Sequence, residues 1–412
     1  MRMLLDKLLR RFIVTGRLKV TWPDGRVSAY AGGRGREAHM RLGDWRTVRR
    51  LVTNPALACG ECYMQGGLEP VDCSIYEVLD VLVSNTAHAG SSQPVVWAQA
   101  MLDRLGRRLA QFNPAGRARR NVAHHYDLNG RLYNLFLDRD RQYSCAYFAT
   151  GSETLDEAQA AKKRHIAAKL CLDRPGLEVL DIGCGWGGMA LTLARDFGAR
   201  VTGITLSTEQ LAEARARAAA EGLADRVRFE LMDYRALDRP FDRILSVGMF
   251  EHVGVPHYDA FFRVVHRCLA PDGVALLHAV GRQGPPVATN PWITKYIFPG
   301  GYCPSLSEVF PAIERAGLMT TDIEILRLHY AETLRHWRRR FAASRDTIAA
   351  LYDEAFCRMF EFYLCGSELA FRREGLMIFQ IQLTRDVATV PLTRDYIAQA
   401  ERAPVPVASM VK

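Results

Sequence analysis

The stretch LEVLDIGCGWGGMALTLARDFGARVTGITLS, Leu177 to Ser207, decides how the rest of the chain is read. Apolar Val179, Leu180 and Ile182 predict a strand buried on both faces. Gly183, Gly185, Gly187 and Gly188 follow, and a turn without Cβ atoms lets backbone approach a ligand closely. Met189–Phe197 then repeats its apolar residues at helical period, and Val201–Thr205 returns as the next parallel strand. Outward from there the rhythm continues, with a helix over Thr154–Leu172 and strands over Val227–Leu231, Phe241–Val247, Gly273–Val280 and Met377–Leu383. The fold class is α/β, a Rossmann-like doubly wound sheet.

Glycine spacing alone also fits a dinucleotide site. The details favour S-adenosylmethionine: Asp181 precedes the turn, Cys184 and Trp186 occupy it, and the second strand ends Thr205-Leu206-Ser207 with no acidic residue for the ribose hydroxyls of NAD.

A chain of 412 residues exceeds one ordinary core, so two domains are expected. Residues 1–115 read as a small α+β unit: a hairpin over Gly16–Tyr30 turning at Pro23-Asp24-Gly25, helices at Trp45–Leu51 and Ile75–Val83 joined by a turn-rich Gly60–Gly67 link, a helix at Trp97–Leu109, then a break at Asn113–Gly116. Residues 116–390 form the catalytic domain and 391–412 a tail.

Apolar residues at 49% and charged residues at 24% describe a soluble globular protein. No run approaches the ~20 apolar residues of a spanning helix, and the charged N-terminus is no secretory signal, so a cytoplasmic protein is expected. Only Cys59 and Cys62 form a C-x-x-C pair, without partners for a zinc site, and no metal is expected. Lysine and arginine exceed acids by 54 to 45, or +9, clustered at Arg10-Arg11, Arg117–Arg120 and Arg338–Arg340. No nucleic-acid motif accompanies that charge, which suits an anionic membrane surface. Arg335–Arg345 interleaves arginines with Trp337 and Phe341, as either an interfacial helix or a solvated face over a core.

Four segments resemble the cyclopropane-fatty-acyl-phospholipid and mycolic acid cyclopropane synthases: HYDLNGRLYNLFLDRDRQYSCAYF at 125–148, VLDIGCGWGG at 179–188, GITLSTEQ at 203–210 and SVGMFEHVG at 246–254. HAVG at 278–281, KYIFPGG at 295–301 and HYAETL at 329–334 fit as well. The resemblance implies a class I S-adenosylmethionine-dependent methyltransferase that adds a methylene across a cis double bond of an unsaturated phospholipid acyl chain. It also implies a sterol-carrier-like N-terminal lipid-binding domain, a homodimer and a peripheral position at the inner membrane surface. An alkene is a weak nucleophile and its attack leaves a carbocation, so the site must orient the methyl, exclude water and offer one base.

In the family that base is bicarbonate, and the resemblance assigns it to Cys145, Glu251, His278, Tyr330 and the backbone of Val280, where isoleucine is usual. For the cofactor it assigns Tyr143 and Ser144 to the methionine end, Gly183 and Gly185 to close backbone approach, and Thr205, Leu206 and Gln210 to the ribose and adenine side, with Asp181 and Asp233 beside them. Trp292–Tyr302 would line the acyl channel or act as a lid, or simply pack in the core. The alternatives are methyl addition without ring closure, as in branched or furan fatty acid pathways, a non-catalytic lipid carrier, and methylation of a small amine or hydroxyl.

Overall fold

Residues 1–86 and 130–403 are described by the computed structural model of the chain. The expected Trp97–Leu109 helix, the break at 113–116, the cut near 115 and the Arg117–Arg120 cluster lie outside the described residues. In chain order the first elements are α1 (Arg2–Phe12), β1 (Thr15–Thr21), β2 (Val27–Ala31), β3 (Gly33–Leu42), α2 (Trp45–Thr53), α3 (Pro55–Met64), β4 (Leu68–Pro70) and α4 (Ile75–Val83). Next come α5 (Gly130–Phe136), α6 (Leu155–Lys169), β5 (Glu178–Ile182), α7 (Gly188–Phe197), β6 (Arg200–Thr205), α8 (Thr208–Ala220), β7 (Val227–Leu231), β8 (Phe241–Val247), α9 (Tyr258–Cys268) and β9 (Leu269–Arg282). The run ends with α10 (Pro291–Tyr296), α11 (Leu306–Arg315), β10 (Met319–Leu326), α12 (His329–Ala343), α13 (Arg345–Leu351), α14 (Glu354–Arg373), β11 (Leu376–Thr384) and α15 (Asp395–Arg402).

Two units divide the chain, and neither is a continuous stretch. The first draws on Met1–Arg107, Val287–Pro299 and Leu334–Leu376, the second on the rest. The expected block 116–390 therefore does not stay together: 287–299 and 334–376 pack with the N-terminal elements.

In the first unit the sheet runs β2-β1-β3-β4. The alternation expected over Gly16–Tyr30 forms the β1–β2 hairpin, with Leu18, Val20 and Trp22 buried beside Leu42, Val48 and Leu79, and α14 closes that core with Cys365 and Leu369. The Gly60–Gly67 link departs from expectation, because α3 runs through Gly60. Glycine is needed there for packing: a Cβ on Gly60 would collide with the Trp292 indole. Trp292 in turn packs against Phe362 with the rings tilted and their centres 4.7 Å apart, Phe298 meets Tyr363 edge-on at 5.7 Å, and Lys295 and Tyr296 bind Glu61 at 2.6 and 2.8 Å. Trp292, Tyr296 and Phe298 thus pack within this unit, as the second of the two readings of this segment expected. Trp337 and Phe341 are likewise buried, so the helix over 335–345 covers a core and is not interfacial.

The second unit is a seven-stranded sheet in the order β10-β11-β9-β8-β5-β6-β7. β5 pairs in parallel with β6 and β8, β6 with β7 and β8 with β9, while β10 runs antiparallel to β11. Apolar layers cover it, one around Phe241, Phe250, Phe261 and Phe379 and another around Ile166, Leu191, Val201 and Phe229. Chain order reverses between β5 and β8, so a crevice opens beyond their carboxyl ends, where ligands bind in doubly wound sheets. The segment read as a tail carries α15, held by Arg394 on Asp322 at 2.6 Å and by Glu401 on His165 at 2.6 Å.

Candidate active site

The turn after β5 sets the floor of the crevice. Gly183 has φ +86° and a Cβ there would stand 2.8 Å from the Met249 Cβ, so only glycine lets the two strands' ends meet. The amides of Gly183 and Cys184 both donate to the Ile204 carbonyl, at 2.9 and 3.0 Å, and tie the turn to β6. A Cβ on Gly185 would meet nothing within 4 Å, because that residue faces open space where a ligand can reach the backbone.

Around this turn lies a cavity whose space, mouth included, is about 1190 Å3. Tyr143, Ser144, Asp181, Gly183, Gly185, Thr205, Leu206, Gln210 and Asp233 all line it. Several of these are already engaged within the protein. The Thr205 hydroxyl donates to Gln210 Oε1 at 3.0 Å, and the Asp233 carboxylate holds Arg235 through two nitrogens at 2.7 and 2.8 Å. Asp181 is different: burial pushes its carboxyl up to about 7 and its Oδ2 has no partner. A buried acceptor left unpaired on a cavity wall fits a donor group on a bound molecule.

The wall made by residues 142–144 depends on α6, which a Thr154–Glu157 capping box starts. Lys162 on this helix is fully buried, and its ammonium donates to Gln142 Oε1 at 2.5 Å and Ser144 Oγ at 2.9 Å. Gln159 adds a bond to the Ser144 carbonyl at 2.9 Å. Burial lowers the Lys162 amine to about 8, opposed by the nearby Asp138 carboxylate. Lys162 was missed in the sequence, although Gln159, Lys162 and Lys169 stand at helical spacing on a face that had to meet the sheet.

The remaining assigned residues are not among those that line the cavity. Glu251 lies in a short 3-10 turn between Met249 and His252, which line the cavity. Its Oε1 accepts the Val280 N–H at 2.5 Å, its Oε2 is buried without a partner, and burial lifts its carboxyl to about 7. The Val280 amide, expected to serve an anion, thus serves Glu251. His278 on β9 receives the Gly248 N–H on its carbonyl at 2.9 Å, and Gly248 also lines the cavity. Burial drives the His278 imidazole well below its usual value, so it is neutral, and its Nε2 has no partner. Burial likewise takes His252 down to about 4.

Cys145 is buried, its thiol pushed up by burial, with Sγ 3.2 Å from the Ala146 carbonyl oxygen. The adjoining amides of Ala146 and Phe148 donate to Thr333 Oγ1 and His329 Nδ1, each at 3.0 Å. Those contacts fasten the first turn of α12, which carries Tyr330, to the Cys145 segment. The unpartnered Glu251 Oε2 and His278 Nε2, an acceptor and a nitrogen able to donate, fit a small oxyanion with an acidic hydrogen.

Residues 114–381 match the family described as mycolic acid cyclopropane synthetase, and residues 4–93 match a domain of unknown function. The chain is 40% identical over 351 residues to the cyclopropane-fatty-acyl-phospholipid synthase of Escherichia coli, covering 85% of this chain and 88% of that one. It is 36% identical over 399 residues to tuberculostearic acid methyltransferase UfaA1 of Mycobacterium tuberculosis, covering 92% and 91%. Among solved structures, mycolic acid cyclopropane synthase CmaA1 complexed with SAH and CTAB superimposes with a TM-score of 0.62 at 35% identity, over 66% of this chain and 99% of that one. A glycine turn under a ligand-sized crevice, with these matches along most of its length, places the chain in the mycolic acid cyclopropane synthetase family, as an S-adenosylmethionine-dependent methyltransferase.

Proposed function

We propose that this enzyme adds the methyl carbon of S-adenosylmethionine across a cis double bond of an unsaturated phospholipid acyl chain and closes a cyclopropane ring. The observations that carry the reading are that Glu251 Oε2 and His278 Nε2 are each buried without a partner, on residues joined to the cavity lining: Glu251 stands between Met249 and His252, and the His278 carbonyl accepts from Gly248.

S-adenosylmethionine supplies a sulfonium methyl when bound. The chain's part is to hold it: the open backbone at Gly185 and the free Asp181 acceptor suit its methionine end, and Lys162 keeps the Ser144 wall in place. Bicarbonate, for which Glu251, His278, Tyr330 and the Cys145 amide are suited, supplies a base. Neutral His278 offers a donor without a competing charge, and Glu251, poised near neutrality, can take up and return a proton.

A phospholipid substrate requires contact with a bilayer. In α1, Met3 and Leu4 are 86% and 47% exposed, and Lys7 and Arg11 share their side of the helix. An apolar ridge flanked by cations suits the anionic surface of a cytoplasmic leaflet. No helix among the described residues is long and apolar enough to cross a membrane.

A second reading, methyl addition without ring closure, is favoured by the match to tuberculostearic acid methyltransferase over 92% of the chain. Vesicles of monounsaturated phospholipid incubated with labelled methyl donor and bicarbonate separate the two by mass spectrometry. Ring product is expected; a methylene-bearing chain of the same mass, told apart by its fragmentation, or a saturated methyl branch with two more hydrogens once a hydride donor is added, would shift the assignment to the second reading, and unchanged lipid would refute both.

A further inference from the structure

We infer that Gln380 is a positioning residue that fixes the tautomer of His278, so that the imidazole presents Nε2–H, a donor, to the site in front of it. The inference rests on the reading of that site as an oxyanion site.

Gln380 lies on β11, the neighbour of β9, and both it and His278 are buried. The Gln380 amide nitrogen stands 3.0 Å from His278 Nδ1. A neutral imidazole has one N–H, and the two nitrogens trade it according to what each meets. With the amide donating to Nδ1, that nitrogen is the acceptor and the proton sits on Nε2. The reversed amide would put a carbonyl oxygen on Nδ1, demand the proton there, and leave Nε2 as a bare lone pair. A lone pair facing an oxyanion repels it, whereas an N–H binds it.

The leftover valences tell the same story. Gln380 Oε1, His278 Nε2 and Glu251 Oε2 are all buried without partners. Three unsatisfied polar groups serve folding poorly, and an apolar pair would pack there more favourably. What the glutamine provides is a single donor aimed at one imidazole nitrogen. The cations Lys162 and Lys169, together with His165, reinforce the neutral state of that ring. His278 cannot answer a missing donor by taking a second proton, and without Gln380 both tautomers become open to it.

The test uses the full-length protein labelled with 15N-histidine. Long-range proton–nitrogen correlation spectra, taken without lipid or bicarbonate, read the protonated nitrogen of His278, whose signal is assigned by its loss in His278→Gln. Nε2–H in the wild-type protein, and a mixed or Nδ1–H pattern in Gln380→Met, are expected. The same variant should lose roughly 10- to 100-fold in turnover with methyl-donor binding unchanged, the scale on which outer hydrogen-bond partners of functional histidines act. Nδ1–H in the wild-type protein overturns the inference whether or not any variant folds. So does an unaltered tautomer, or full turnover, in Gln380→Met. A correct tautomer with no lipid product in the wild-type enzyme counts against the function proposed above and leaves the tautomer assignment standing.

Discussion

Asp181 and Glu251 are both carboxyls that burial lifts to about 7, and their surroundings separate their tasks. Asp181 faces the cavity, while Glu251 grips β9 through the Val280 amide. Glu251→Gln keeps the size and removes the exchangeable charge, so turnover should fall by about 10²–10⁴ while calorimetry shows methyl-donor binding retained. The raised value also sets a sign: the ionised form dominates only above about 7, so the wild-type rate should climb as pH passes that point. A rate flat across that range would separate Glu251 from proton handling. Lys162→Met removes two charge-assisted bonds from the Gln142–Ser144 wall, each of about 1.5–3 kcal/mol, and should weaken donor binding roughly tenfold or more in the same titration. Among the cavity-lining residues the glycine turn was legible from its composition, whereas Tyr143, Ser144, Thr205, Leu206 and Gln210 were assigned through the family resemblance of their segments. Lys162 and Gln380 were not legible, since lysine on a helix and glutamine in a strand are ordinarily solvent-facing, and only the finished packing shows both fully buried.

Strands were easier to read than helices, and the reason is local. Around Val179 and Phe241 the apolar run has no other use than a buried strand, and β5 and β8 form there. The Gly60–Gly67 stretch has the composition of a turn, and α3 enters it because Trp292, more than two hundred residues away, fills the space left by Gly60. Trp337 stands in a charged neighbourhood that left an interfacial helix and a core-covering one both open, and the buried ring decides for the second. Trp337→Ala should cost about 3–5 kcal/mol, visible as a lowered denaturant midpoint, whereas an interfacial tryptophan would change stability little. On α1, Met3→Glu combined with Leu4→Glu should cut sedimentation with anionic vesicles several-fold and leave the melting temperature unchanged, since both side chains are exposed. Equal sedimentation of the double variant would move the lipid-facing surface elsewhere.

For the whole molecule, the doubly wound unit was readable from its rhythm, but its division from the first unit was not, because separated stretches share each core. The C-terminal segment belongs to that architecture too. His165 bridges Glu324 and Glu401 at 2.7 and 2.6 Å; burial opposes its charge, yet the two carboxylates raise its value above 6.5. A raised imidazole stabilises the fold fully below 6.5, and that contribution fades as pH climbs through the higher folded value. Wild-type protein should therefore melt above His165→Gln in mild acid, with the gap closing on the alkaline side. Equal melting points in acid would show that the bridge contributes nothing. Finally, β11 lies between β9 and β10 in space but follows both in sequence. On the ribosome the gap beside β9 stays open from the completion of that strand at Arg282 until Leu376–Thr384 emerges, so nascent chains expose an unpaired sheet edge over that interval. Reaction chemistry is thereby tied to the order of synthesis: the histidine gains its orienting neighbour only after Leu376–Thr384 has emerged.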